Sequence, residues 1–216
     1  MKTSNIASAL VLGSMIALSG CGSDDDNMDT MSYSYTLKVT NLTAGQPMSP
    51  ILVSSDSLFS VGESASEALE HQAEGGDNSM LLMGDAVSGT KLLTPGESES
   101  LSFTSSMSHF SLTTMLVKTN DAFAGVSGYD LSNLAVGEMS TLYTNVYDAG
   151  TEENSETNTT VPGLKGEGYN SERETLNMIT LHSGVVSRDD GLVSSGLSAM
   201  EKFNNPALMI TITRTK

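Results

Sequence analysis

The chain predicts an all-β fold, an antiparallel β-sandwich with one short helix and a long acidic loop. Three observations lead there. Beyond Gly76 the apolar runs are short and separated by Gly, Pro, Asn and Asp; the last of them sets Leu208, Ile210 and Ile212 on one face; and a single segment carries helical periodicity. Regular short strands divided by turn signals are the pattern of a sandwich or barrel.

Tyr33, Tyr35, Leu37 and Val39 alternate with Ser34, Thr36, Lys38 and Thr40, the period of a half-buried strand, so the domain is expected to span 33–216. Residues 41–50, NLTAGQPMSP, turn the chain, and ILVSS reads as a second strand. In SASEALEHQAEGG, Ser64 and Glu67 make a capping box, Ala65, Ala68, Leu69, Gln72 and Ala73 form a stripe, and Gly75 closes the helix. Further strands are expected in SMLLM, SLSFTS, FSLTTMLVKT, AFAGVSGYDL, STLYTNVY, NMITLHSGVVS and ALMITITRT. Thr151 to Arg173 is long, polar and acidic, an excursion suited to function rather than core. With no Trp and 13 Met, the core falls to Met, Leu, Val and Ile, with Met filling irregular gaps.

Residues 1–20 read as a secretory signal: Lys2, an apolar run from about Ile6 to Leu18, then small residues. The ending Leu18-Ser19-Gly20-Cys21 resembles a bacterial lipobox, which implies acylation of Cys21, the only cysteine in the chain. A transmembrane anchor is the alternative, but the run is short against the ~20 residues a spanning helix needs. Acyl chains on Cys21 would be the sole attachment to a bilayer. Gly22 rather than Asp after the cysteine favours the outer membrane, in the cell envelope. Residues 21–32 then form the lipidated cysteine and an acidic tether, which lacks the Gly and Glu of an EF-hand loop. A formal charge of -16 argues against nucleic acid as partner and makes cations the natural ones.

Between Lys118 and Lys165 lie Asp121, Asp130, Glu138, Asp148, Glu152, Glu153 and Glu156, with no Lys, Arg or His among them. Asp121 and Asp148 each follow an expected strand, so their loops are expected to meet at one end of the sandwich. Paired carboxylates 4 Å apart repel by ~4 kcal/mol at an effective dielectric near 20 and by ~1 kcal/mol in water. A divalent cation reverses that sign, and calcium, which takes oxygen ligands in flexible number, suits the site better than magnesium. Gly150 would let the backbone turn closely there. Spacing alone favours a solvated acidic loop over a metal site.

YTLKVTNLTAGQPMSPILV, LFSVGESASEALEHQAEGGD, MLVKTNDAFAGVSG and YDAGTEENSE, in that order, resemble the spondin domain family, the N-terminal module of animal F-spondins that also occurs in secreted bacterial proteins. The resemblance covers about Tyr33 to Gly163 and fades to LHSG and NNPALMITITR beyond. It implies a sandwich resembling a C2 domain with calcium bound by loops at one end. NDAFAG matches a family ligand motif at Asp121, and DAGTE matches another at Asp148 and Glu152, so these three are the implied ligands. Glu152 stands where animal members have Asp, and the animal cysteines that would brace these loops are missing.

Enzyme chemistry finds little support. His71, His109 and His182 are scattered, with neither an HExxH nor a GxSxG motif, so no catalytic residues are assigned. Paired acids can cleave glycosides, yet a Trp-free chain lacks the usual aromatic platforms. The expected function is a calcium-binding, non-catalytic adhesion or binding module whose ligand is an extracellular glycan or protein. A structural envelope lipoprotein is the alternative, and a hydrolase using the acidic loops a weaker one.

Overall fold

The computed structural model describes residues 32–216; the expected signal peptide, Cys21 and the tether up to residue 31 lie outside the described residues. The strands are β1 (Tyr33–Asn41), β2 (Leu52–Ser54), β3 (Val87–Ser88), β4 (Ser98–Ser105), β5 (His109–Met115), β6 (Ala122–Asp130), β7 (Met139–Thr144), β8 (Val146–Asp148), β9 (Thr180–Leu181) and β10 (Leu208–Arg214), with helix α1 at Glu67–Gly75. They form a four-stranded sheet, β4-β1-β10-β7, and a six-stranded sheet, β3-β2-β5-β6-β8-β9. Every pairing is antiparallel. Among the described residues no helix is long and apolar enough to cross a membrane.

The core follows from alternation. Tyr35, Leu37 and Val39 of β1, Leu101 and Phe103 of β4, and Ile210 and Ile212 of β10 pack against Val53, Phe110, Leu112, Ala124 and Val146 of the six-stranded sheet. That second sheet is covered on its other face as well. Leu69 and Ala73 of α1 pack there with Phe123, Ala149 and Ile179. Strand β5 is therefore buried on both faces from Phe110 to Met115, and its polar members must find partners inside. Ser111 donates to Asp56 O at 2.5 Å and Thr114 to Ser49 O at 2.7 Å.

Helix α1 begins two residues later than the Ser64 capping box would place it. Ser66 is the N-cap, accepting from Leu69 N at 3.2 Å, and Gly76, in the left-handed region at φ 68°, closes the far end instead of Gly75. Glu67 and Glu70 lie in the first turn, where the helix dipole favours anions. Ser66→Ala is expected to cost about 1 kcal/mol, read as a lower urea midpoint with an unchanged slope.

Two expected strands are corrected. SMLLM is a turn, with Leu81 N and Leu82 N both donating to Asn78 O, and it leaves Met80, Leu82 and Met83 exposed. Of NMITLHSGVVS only Thr180 and Leu181 pair; the remainder is irregular.

Candidate metal centre

Asp121 occupies the turn between β5 and β6, and Asp148 is the last residue of β8. The β6–β8 register pairs Ala122 with Asp148, which sets the two acidic positions side by side at one end of the sheet. Thr119 shapes that turn: its hydroxyl donates to Leu116 O at 2.6 Å and accepts from Ala122 N at 3.1 Å.

Asp121 is 0 % exposed. Its Oδ2 accepts from Thr151 N at 2.8 Å, Thr151 Oγ1 at 3.2 Å and Glu152 N at 3.1 Å, while Oδ1 is buried with no partner. Burial, and then the charge of Asp148, push its pKa up to about 7 against the pull of those hydrogen bonds. An orphaned carboxylate oxygen inside a protein is costly and calls for a donor or a cation.

Asp148 is half-buried and turns the chain after β8, its Oδ1 accepting from Gly150 N at 2.8 Å and its Oδ2 from Asn154 Nδ2 at 2.6 Å. Glycine is required at 150: φ is 70°, and a Cβ would lie 2.3 Å from Met178 O. Glu152 Oε2 accepts from Asn120 Nδ2 at 3.4 Å. Burial first, then the charge of Glu74, with Asp121 and Glu167 adding, push Glu152 up to about 7 against the pull of the Asn120 hydrogen bond. The three expected ligands are thus neighbours in pairs, and Asp121 is the member both pairs share. Among the described residues, no three His, Cys, Asp or Glu side chains form a group that could hold a metal ion.

Three further groups belong to this region. Glu156 is 1 % exposed, and its N–H donates to Asn120 Oδ1 at 3.3 Å. Its Oε1 accepts from Val186 N at 3.3 Å, and its Oε2 is buried without a partner. Burial pushes its pKa up to about 7, and the charges of Asp121 and Asp148 add to the rise while the Val186 bond opposes it. Glu74, on the buried side of α1, accepts from Asn170 N at 2.8 Å through Oε2 and has no geometric partner at Oε1. The Thr151 hydroxyl acts on Glu74 as well as on Asp121, but it has one proton and its bonding geometry is with Asp121. His182 Nδ1 accepts from Gly184 N at 2.9 Å, which leaves the ring proton on Nε2, a buried atom with no partner. Burial lowers the His182 pKa against the raising effect of Asp148, so the ring is a neutral donor.

The end of the acidic stretch, Tyr169 to Arg173, straps this region to the helix. Arg173 forms a two-pronged ion pair with Glu70, donates to Ala65 O at 2.9 Å and to Asn177 Oδ1 at 3.1 Å, and Tyr169 stacks on His71 with ring centroids 3.6 Å apart. An open cleft of about 360 Å³ remains, lined by Asn120, Glu152, Glu167, Asn170, Arg173 and Glu174 among others.

The side chains offer hard carboxylate oxygens, and two of those oxygens, Asp121 Oδ1 and Glu156 Oε2, are buried with nothing to bond. Of the sequence-level readings, YDAGTEENSE held the signal for Glu156 as its last acid, whereas Glu74 and His182 come from segments that only the fold brings near. No protein-family model matches the chain, and no curated protein matches it.

Proposed function

We propose that the chain is a lipid-anchored envelope protein whose spondin-like sandwich binds calcium and acts as a non-catalytic binding module. The observation that carries this reading is Asp121: a carboxylate fully removed from water, with one oxygen unpaired and the charge of Asp148 beside it. Such an arrangement is unfavourable for two anions and favourable once a doubly charged ion lies between them. Calcium, when bound, supplies that charge. The chain's own contribution is to hold Asp121 by the Thr151 and Glu152 amides, and to hold Asp148 by Gly150 and Asn154.

On this reading Cys21 carries the lipid, the tether spaces the domain from an outer membrane, and the partner is an extracellular glycan or protein. A second reading, a structural envelope lipoprotein whose ion only pins loops, is favoured by the full burial of Asp121. The two differ in one result: only a binding module retains a glycan or matrix protein in a calcium-dependent way on an array.

The ion itself is tested by thermal melts of the full chain in detergent. Calcium at ten times its dissociation constant stabilises by ~1.4 kcal/mol, a rise in Tm of about 3 to 6 °C for a domain of this size. A chelator should reverse the rise, and Asp148→Asn should remove it. Equal melting temperatures with calcium and chelator would sink both readings.

A further inference from the structure

We propose that the free edge of β7 is a dimer interface, at which two copies of this chain pair antiparallel about Thr141 and join their four-stranded sheets into one. The inference goes beyond the calcium reading and leaves the Asp121 region out of the contact. An open strand edge offers unpaired N–H and C=O groups to any other chain, so folds guard their edges with charge, proline, bulges or very short strands. Among the described residues, three of the four sheet edges are guarded. Strands β3 and β9 have two residues each. Strand β4 carries Glu99 opposite the buried Val39, with Oε1 accepting from Thr90 N at 3.1 Å, and Lys91 Nζ donates to the Ser98 carbonyl at 3.2 Å. Strand β7, at the other side of that sheet, runs six residues without a charge or a proline. Its one ladder among the described residues is with β10, in unbroken register.

The exposed edge is complementary to itself. The carbonyls of Glu138 and Thr144 both turn toward β10, accepting from Arg214 N at 3.1 Å and Ala207 N at 2.9 Å. Antiparallel bonding alternates along a strand, so the even positions serve β10 while Met139, Thr141 and Tyr143 turn their N–H and C=O away from it. The side chains of these three lie on the open face of the sheet, Met139 being 67 % and Tyr143 59 % exposed. Setting Thr141 opposite Thr141 of a second copy brings Met139 against that copy's Tyr143, and Tyr143 against its Met139. A thioether beside an aromatic ring is a favourable cross-strand contact, and the symmetry makes it twice. The half-buried Ser140 and Leu142 meet on the inner face in the same register.

Charge does not oppose this pairing, although each chain carries a formal -16. Glu138, the acid that adjoins the strand, falls six positions from its counterpart, about 20 Å along the ladder. That is beyond the screening length of ~8 Å at physiological salt. A contact of one strand pair is small, so the dimer is weak and concentration-dependent.

The test uses the full chain in detergent with calcium chelated, so that the ion plays no part. Sedimentation equilibrium in density-matched detergent, at a protein concentration on the order of 100 μM, should show a reversible dimer. Thr141→Glu sets like charges face to face and should raise the dissociation constant about tenfold or more. Thr141→Cys should give a disulfide-linked dimer on mild oxidation, because a hydrogen-bonded cross-strand pair holds its Cα atoms about 5.5 Å apart, within disulfide reach. Ser102→Cys, exposed on β4, should not, with the wild type as the baseline for Cys21. A monomeric wild type, a Thr141→Glu variant that dimerises like wild type, or no more cross-linking at 141 than at 102 overturns the inference. Should circular dichroism show Thr141→Glu unfolded, the two cysteine variants decide the matter.

Discussion

Raising the pH of the calcium-free protein from about 5 to 8 is expected to lower its melting temperature, and calcium is expected to abolish that loss. The folded state raises the pKa of Asp121 from its ordinary 3.8, and of Glu152 and Glu156 from 4.5, to about 7 in each case. Between about pH 4 and 7 the folded chain therefore holds more protons than the unfolded one, so stability is full at the acidic end and falls as pH rises. For Asp121 alone the change is on the order of 3 kcal/mol. His182 works in the opposite direction, since its depressed pKa costs stability as pH falls through its ordinary 6.5, but it is one group against five raised carboxylates, Glu74 and Glu174 being raised as well. Against the upward push of burial, hydrogen bonds from Lys118 and Ser198 lower Glu201 to about 2, so its contribution is lost only below this window.

Asp121→Asn separates the causes. An amide cannot ionise, so this variant should be more stable than wild type at pH 8 without calcium, by about 1 to 3 kcal/mol, and should no longer respond to calcium. A wild-type melting temperature that is flat or rising from pH 5 to 8 in chelator would refute the account of the buried carboxylates.

Arg173→Ala is expected to destabilise the protein by about 3 kcal/mol, lowering Tm by about 6 to 12 °C. Glu70 has 3 % of its side chain exposed, and Arg173 engages it through two guanidinium nitrogens. Removing the arginine strands a carboxylate out of water with Glu74 nearby, and it also frees Ala65 O and Asn177. Arg173→Lys should recover only part of the loss, because an ammonium keeps the charge but not the planar fork. The double change Glu70→Gln with Arg173→Met should cost less than Arg173→Ala alone. Urea denaturation of the four proteins measures all of this; a loss below 1 kcal/mol for Arg173→Ala would show the pair to be incidental.

The strand pattern was legible because side chains at every second position of β1, β4 and β10 face one core, and such alternation is a local property of the chain. The neighbourhood of Asp121 and Asp148 was legible for a related reason: both stand at the ends of strands that pair. The burial of Glu156 was not, since it depends on Val186 and Gly196, and the pairing of Arg173 was not, since its partner is 103 positions away. SMLLM misled because its apolar letters suit a strand, while the Asp77–Ser79 side-chain turn and Asn78 bend the backbone before a ladder can form. The two-residue shift of α1 has a similar origin: Ser64 donates to Asn177 O, leaving Ser66 to cap.

The first and last strands of the domain lie next to each other and run in opposite directions, with Tyr35 opposite Arg214 and Thr215 N bonded to Ser34 O. Both ends of the described residues therefore lie at the same corner. A pull applied between them would peel β10 from β1 one rung at a time, like a zipper, instead of loading the whole ladder in shear. Force that enters by the amino end and leaves through the loops around Asp121 takes a different route, across the sandwich, where the two sheets resist together.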